Sequence, residues 1–235
     1  MFTIFKKEFE SYFFSAIGYM VLTFLFLIGS LFFFISSVIV NNSSLIGTFS
    51  GFFSLTAFFS PIITMRLFSE ERNKKTDQVL LTAPVKISSI IAGKYLAATA
   101  LHVVSISVTL IYAFVISKFS SFDWPVFFAS FFGMVLVGSA FISVGMFFSS
   151  LTESQVVAVV VTLVFNVLIL MLDGLLYSIP FKFLTDILKN FSFTEHFLQS
   201  FPLGMIKFKD VVFFLSVSAV FIFLTSRAIE KRRWS

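Results

Sequence analysis

Residues that could do chemistry are few and scattered. Gly93-Lys94 is the only Gly-Lys pair in the 235-residue chain. Such a pair closes a phosphate-binding loop, but here Tyr95 stands where the magnesium-binding hydroxyl belongs and Ser88 where the loop's first glycine belongs. The chain therefore cannot cradle a nucleotide or hydrolyse ATP alone. His102 and His196 are the only histidines, and no H-E-x-x-H spacing exists. Glu195 and His196 are adjacent, so on a helix they diverge. With no cysteine, neither a disulfide nor a thiolate metal site can form. No metal site, no bound cofactor and no enzyme constellation is expected. Asp173 is the one acid inside an apolar stretch, where a carboxylate costs at least ~2.5–3.5 kcal/mol at a helix centre. It lies near the outer end of that stretch, before Gly174 and Tyr177, and suits either a cavity or an anchored helix end.

The polar residues gather instead in one island, "MRLFSEERNKKTDQVLLTAPV", Met65 to Val85. Nine of its 21 positions are charged or amide-bearing, after 55 residues, Ser11 to Met65, without Asp, Glu, Lys or Arg. Glu70–Lys74 and Glu71–Lys75 have the favourable i,i+4 order of a helix. Val79, Leu80 and Leu81 follow as an apolar knob, and Pro84 ends the helix at or before Ala83. A polar helix with an apolar tip reads as a docking element for a cytoplasmic protein. The plainer reading is a solvated loop whose charge fixes topology.

The elements around the island are membrane spans. Only 12% of residues are charged, 58% are hydrophobic, and the mean hydropathy is +1.01. A soluble domain carries about 25% charge, so the missing solvent is lipid. The 38 phenylalanines fit codon drift or an aromatic-lined path. A span needs about 20 mostly apolar residues. Six fit: Ala16–Val40, Leu45–Met65, Ala97–Ile116, Pro125–Ser149, Val156–Ile179 and Val211–Ser226. The first two flank the short turn Asn41–Ser44 and predict a tight hairpin, in which Gly47 and Gly51 have the spacing that lets helices approach closely. With both termini cytoplasmic, twelve Lys and Arg lie inside, Lys94 among them, and five outside. Residues 1–15 predict an interfacial amphipathic helix, and 180–210 an extracytoplasmic amphipathic region with short outer-leaflet helices. The expectation is an all-α membrane protein, 1–235 forming a single transmembrane domain. Its first span is retained, because acids precede it and no cleavage site follows.

The stretch Ser60 to Ala98 resembles the hallmark of bacterial ABC type-2 exporter permeases, closest to their gliding-motility, GldF-like branch. The matching positions are Pro61, Ile63, Thr64, Met65, Arg66, Glu70, Glu71, Leu80, Leu81, Thr82, Pro84, Val85, Gly93 and Lys94. That family often has Gly-Thr-x-Glu after the acidic pair, where this chain has Lys75, Thr76, Asp77 and Gln78. Lys6 to Tyr19 resembles its amphipathic N-terminal helix. His196, Phe197, Gly204, Asp210, Arg233 and Trp234 resemble its C-terminal region.

The resemblance implies a permease in the bacterial inner membrane, paired with a second copy or a related permease on two cytoplasmic ABC ATPase subunits that carry the ATP and magnesium. Residues 66–88 would form the coupling-helix region, through Arg66, Glu70, Glu71, Arg72, Lys74, Lys75, Leu80, Leu81, Thr82 and Pro84. The loop Ser149–Gln155, with Glu153, would make a smaller contact. Spans one and five would meet the second permease, placing Asn166 and Asp173 near a substrate path or subunit interface. Membrane lipid and an extracytoplasmic accessory protein join the expected partners; nucleic acid does not. The implied function is ATP-driven outward movement of an amphipathic or lipid-like substrate. The alternative is a membrane anchor that passes ATPase work to an extracytoplasmic or motility partner.

Overall fold

The computed structural model describes residues 1–76, 86–176 and 189–233. Every regular element among them is helical. Lipid offers backbone groups no partner, and a helix satisfies them within its own segment. The order is α1 (Phe2–Phe13), α2 (Ala16–Phe33, continued by a π-helical stretch Phe34–Ile39), α3 (Ile46–Thr64), α4 (Ser69–Asn73), α5 (Ile87–Ile106), α6 (Val108–Phe119), α7 (Trp124–Leu151), α8 (Gln155–Leu176), α9 (Phe193–Leu198), a 3-10 turn (Phe201–Leu203) and α10 (Phe208–Arg233).

Five helical courses are long and apolar enough to cross a membrane: Gly18–Ile39, Ile46–Asn73, Ile87–Phe119, Trp124–Leu151 and Phe208–Arg232. They overlie expected spans one, two, three, four and six. The expected fifth, Val156–Ile179, falls on α8, whose apolar stretch Gln155–Met171 is shorter among the described residues. The chain is thus an all-α, multi-pass membrane protein. One boundary needs correction. The third span was expected from Ala97, yet its helix begins at Ile87 and runs through Lys94. Hydropathy counting stops at a lysine, but this lysine is paired inside the protein and the helix continues past it.

Helix α7 is the hub. It is buried along nearly its whole length, and α3, α5, α8 and α10 all pack on it. By contrast α2 and α10 keep apolar faces outward, for lipid, through residues such as Phe24, Leu27, Leu31, Leu215 and Phe223. The expected hairpin of α2 and α3 is present. A Cβ at Gly47 would lie 2.6 Å from Ser36 Cβ, and one at Gly51 would lie 2.5 Å from the Phe32 ring. The close-approach pair is therefore spent inside the subunit. Asn41 turns the chain between them in the left-handed region, φ 57°, which Asn tolerates.

The expected amphipathic helix forms as α1. Phe2, Phe5, Phe9 and Phe13 recur at three- and four-residue spacing, with successive ring centroids 6.3, 5.8 and 5.0 Å apart. Its other side packs against α5. Short helices after the fifth span appear as α9 and the 3-10 turn. The remainder of that expected region, up to residue 188, lies outside the described residues.

Candidate functional site at the island end of the bundle

At the C-terminal end of α3, the end that carries the island and is called inner below, the helical ladder of hydrogen bonds breaks down, and other helices fill the gaps. A helix leaves its last carbonyls without internal donors. Tyr12 Oη of α1 donates to Ile63 O at 2.9 Å, and Ser149 Oγ of α7 donates to Met65 O at 3.0 Å. Ser149 Oγ also accepts from the N–H groups of Phe68 and Ser69, at 3.2 and 3.3 Å. Burial pushes the Tyr12 phenol far above its ordinary pKa, so it remains a donor. The base of the island is thus fastened to α1 and α7 before any charge is considered.

The charges then close around α4. Arg66 Nε meets Glu70 Oε2 at 2.9 Å, and Lys74 Nζ meets Glu70 Oε1 at 2.8 Å, the expected i,i+4 pair. The other expected pair does not form. Glu71 Oε1 takes Lys94 Nζ of α5 at 2.8 Å instead of Lys75. The cause is helix length: α4 ends at Asn73, and Lys75 sits in the left-handed region at φ 56°, off the helical face. Lys94 Nζ also meets Glu8 Oε1 of α1 at 2.9 Å and lies 5.3 Å from the Phe68 ring centroid. Lys94 is only 1% exposed, so its ammonium depends on these two carboxylates; a buried charge without partners costs several kcal/mol. Beside it, a Cβ at Gly93 would come within 3.0 Å of Ile4 and 3.2 Å of Met1 O, so glycine is what lets α1 lie on α5. Gly93-Lys94 therefore joins three segments, α1, α4 and α5.

Arg72 reaches the other way. Its Nη1 donates to Leu151 O at 2.9 Å and its Nη2 pairs with Glu153 Oε1 at 2.9 Å, in the loop between α7 and α8. Arg232, at the end of α10, bonds Ser150 O on the same turn of α7. Arg66, Glu70, Glu71, Arg72, Lys74 and Glu153 thus share one patch at this end of the bundle. A cavity of ≈ 320 Å³ opens there between α1 and α4, with Lys7, Arg66, Lys74 and Lys94 against Glu8, Glu70 and Glu71 in its wall. Among the described residues no acid pairs with Lys7, and Lys75 stays exposed. The arrangement can hold a positively biased platform at this end of the bundle. Leu80, Leu81, Thr82 and Pro84 lie outside the described residues, as does the Asp173 side chain.

Asn166 stands apart from this patch. It is fully buried, its Nδ2 donating to Ala57 O at 2.8 Å and Ser60 Oγ at 3.1 Å on α3. The histidines are both interior. His102 Nε2 lies 3.2 Å from Met134 O. His196 Nδ1 lies 2.6 Å from Asp210 Oδ1, with its ring stacked on Phe213 at 4.1 Å between centroids. This pair fastens α9 to the first turn of α10. Sequence reasoning missed it, along with the Glu8–Lys94–Glu71 tie, because neither pairing has a local spacing. Among the described residues no group of three His, Cys, Asp or Glu gathers as a metal site.

No curated relative matches the chain. The sequence pattern described as ABC-2 family transporter protein matches residues 51–233. That match takes in α3 from Gly51 onward, the island and every later helix; α1, α2 with its π-helical continuation, and the first turn of α3 lie before it. Such proteins are membrane transport subunits and are not themselves catalytic. With more than half its length matched and several membrane-crossing helices, this chain belongs to the ABC-2 transporter family.

Proposed function

We propose that this chain is the membrane half of an ABC exporter, docking separate cytoplasmic ATPase subunits on the island and moving an amphipathic or lipid-like substrate outward. In this reading both termini face the cytoplasm of a bacterial cell, the ATPases carry ATP and magnesium, and the permease pairs with itself or a relative. Residues 66–88 are the ATPase-coupling region and the Glu153 loop a second contact. The gliding-motility-like branch rests on the residues quoted from Ser60 to Ala98.

One observation carries the proposal most directly. The island base is tied by Lys94 to α1 and α5, by Ser149 to α7 and by Arg72 to the α7–α8 loop. A loop that only fixed topology would need its charges at the surface and no buried lysine. A platform that receives force must be fastened to the elements it moves.

The test is affinity purification of the chain from its native cells in mild detergent. A stoichiometric nucleotide-binding subunit should copurify, and Leu80→Asp should release it while the variant still inserts in the membrane. Full retention of the ATPase by Leu80→Asp removes the docking assignment. This substitution is cleaner than reversing Glu70 or Glu71, whose charges are engaged inside the protein.

A further inference from the structure

Pro61 lies inside α3. Proline has no N–H, so the carbonyl four residues earlier, that of Ala57, loses its helical donor. In a membrane such a freed carbonyl must find another partner. Asn166 of α8 supplies it, donating from Nδ2 to Ala57 O at 2.8 Å and to Ser60 Oγ at 3.1 Å. The amide therefore bridges both ends of the turn that Pro61 leaves open. A carbonyl can only accept, so the contact with Ala57 fixes the NH₂ toward α3. It also leaves Oδ1 buried with no partner.

That unmet acceptor argues against a residue chosen for stability alone, since an apolar side chain against an unbroken helix would leave nothing unsatisfied. The break is also placed to matter. A push on α4 enters α3 through Met65 and Ile63, which Ser149 and Tyr12 hold, and Pro61 is the next point along the helix. An unsupported proline kink would bend there and absorb the displacement.

We infer that Asn166 is a positioning residue that splints the Pro61 break, so that movement of the island and the inner end of α3 is delivered to α8. This rests on the ATPase-docking reading above. The amide makes α3 and α8 one mechanical unit across the turn where α3 alone is weakest. Its function requires Pro61. Where residue 61 carries an N–H, Ala57 O is satisfied within the helix and Asn166 becomes redundant.

The experiment uses the permease–ATPase complex purified from native cells. The chain has no cysteine, so it can be labelled with nitroxides at introduced cysteines before the ATPase is added back, with no background from the chain itself. One label pair at the exposed positions Asn73 and Ser216 reports the island against α10; a second, at Val160 and Ser216, reports α8 against α10. Distances are compared between nucleotide-free and ATP–vanadate-trapped states. In the parent chain both pairs should shift on trapping. Asn166→Leu should keep the island shift and lose the α8 shift, while Asn166→Leu with Pro61→Ala should regain it. A full α8 shift in Asn166→Leu overturns the inference, and so does an equal loss in both backgrounds. If Asn166→Leu alone does not assemble, rescue of assembly by Pro61→Ala supports the inference and absence of rescue overturns it. Failure of the docking reading is seen separately, as a parent chain with no bound ATPase or an island distance that ignores ATP. In that event the thermal midpoint of the isolated chain carries the cycle: Asn166→Leu should lower it far more with Pro61 than with Ala at 61, and equal losses overturn the splint.

Discussion

At the end that carries the island, called inner, the bundle is held by ion pairs that join segments distant in sequence, Glu8, Glu71 and Lys94 among them; at the opposite end, called outer, the described residues hold a His196–Asp210 pair against the Phe213 ring. The carboxylates around the buried Lys94, Glu8 and Glu71, border an open cavity at 14% and 17% exposure, whereas His196 and Asp210 are both sealed, at 4% and 5%. Burying a charge is expensive in either place, and the two ends repay it differently. Inside, one lysine is shared between two helices that must stay in step. Outside, one aspartate anchors a short helix to the span that follows it. Charges that join several elements suit a part that receives load, and a sealed local pair suits a part that stays put.

That contrast can be broken experimentally. Lys94→Met leaves two carboxylates facing each other without a cation and should cost about 3 kcal/mol. The thermal midpoint in detergent should fall, and limited proteolysis should cut α1 faster. Intact resistance of α1 would mean that the buried tie does not hold it. Asp210→Ala strands the buried His196 Nδ1 and should cost less, about 2 kcal/mol. Here the proteolysis of α1 should match the parent chain, because His196 bonds Asp210 and Asn190 and shares no partner with the Lys94 tie. Faster cleavage at α1 would erase the distinction between the ends. The smallest effect sharpens the inner end alone. Lys75 holds a left-handed conformation that costs a side chain roughly 1 kcal/mol, so Lys75→Gly should raise the midpoint slightly. A fall would show that the lysine side chain, and not the backbone, sets that turn.

Much of this was legible from residue order. Apolar runs placed five of the six expected spans, the polar turn Asn41–Ser44 placed the hairpin, and the aromatic spacing of Phe2, Phe5, Phe9 and Phe13 placed α1. The charge island stood out for the same reason, as a local change in composition. Lys94 did not, because a lysine in a nearly apolar run reads as a boundary until its partners are known. Those partners lie 23 and 86 residues away. Glu71 illustrates the limit of local rules: Lys75 has the right spacing, but the helix ends before reaching it. The departure from the usual family glycine at position 75 was visible, and the left-handed backbone there shows what that glycine would ease. Pro61 also carried a signal. A proline in an apolar helix announces a carbonyl in need of a donor, though only the fold identifies Asn166 as that donor.

The reach of the Lys94 tie bears on how the protein is made. Glu8 and Lys94 are separated by 86 residues, and chains are synthesised at about 5–20 residues per second. For roughly 4–17 s, α1 has left the ribosome and its cation has not. During that interval Glu8 can remain hydrated only if α1 stays at the water boundary, with its aromatic face toward lipid. The helix is therefore parked by its amphipathic character first and locked by Lys94 later, so its final position is set only after α4 and α5 have emerged.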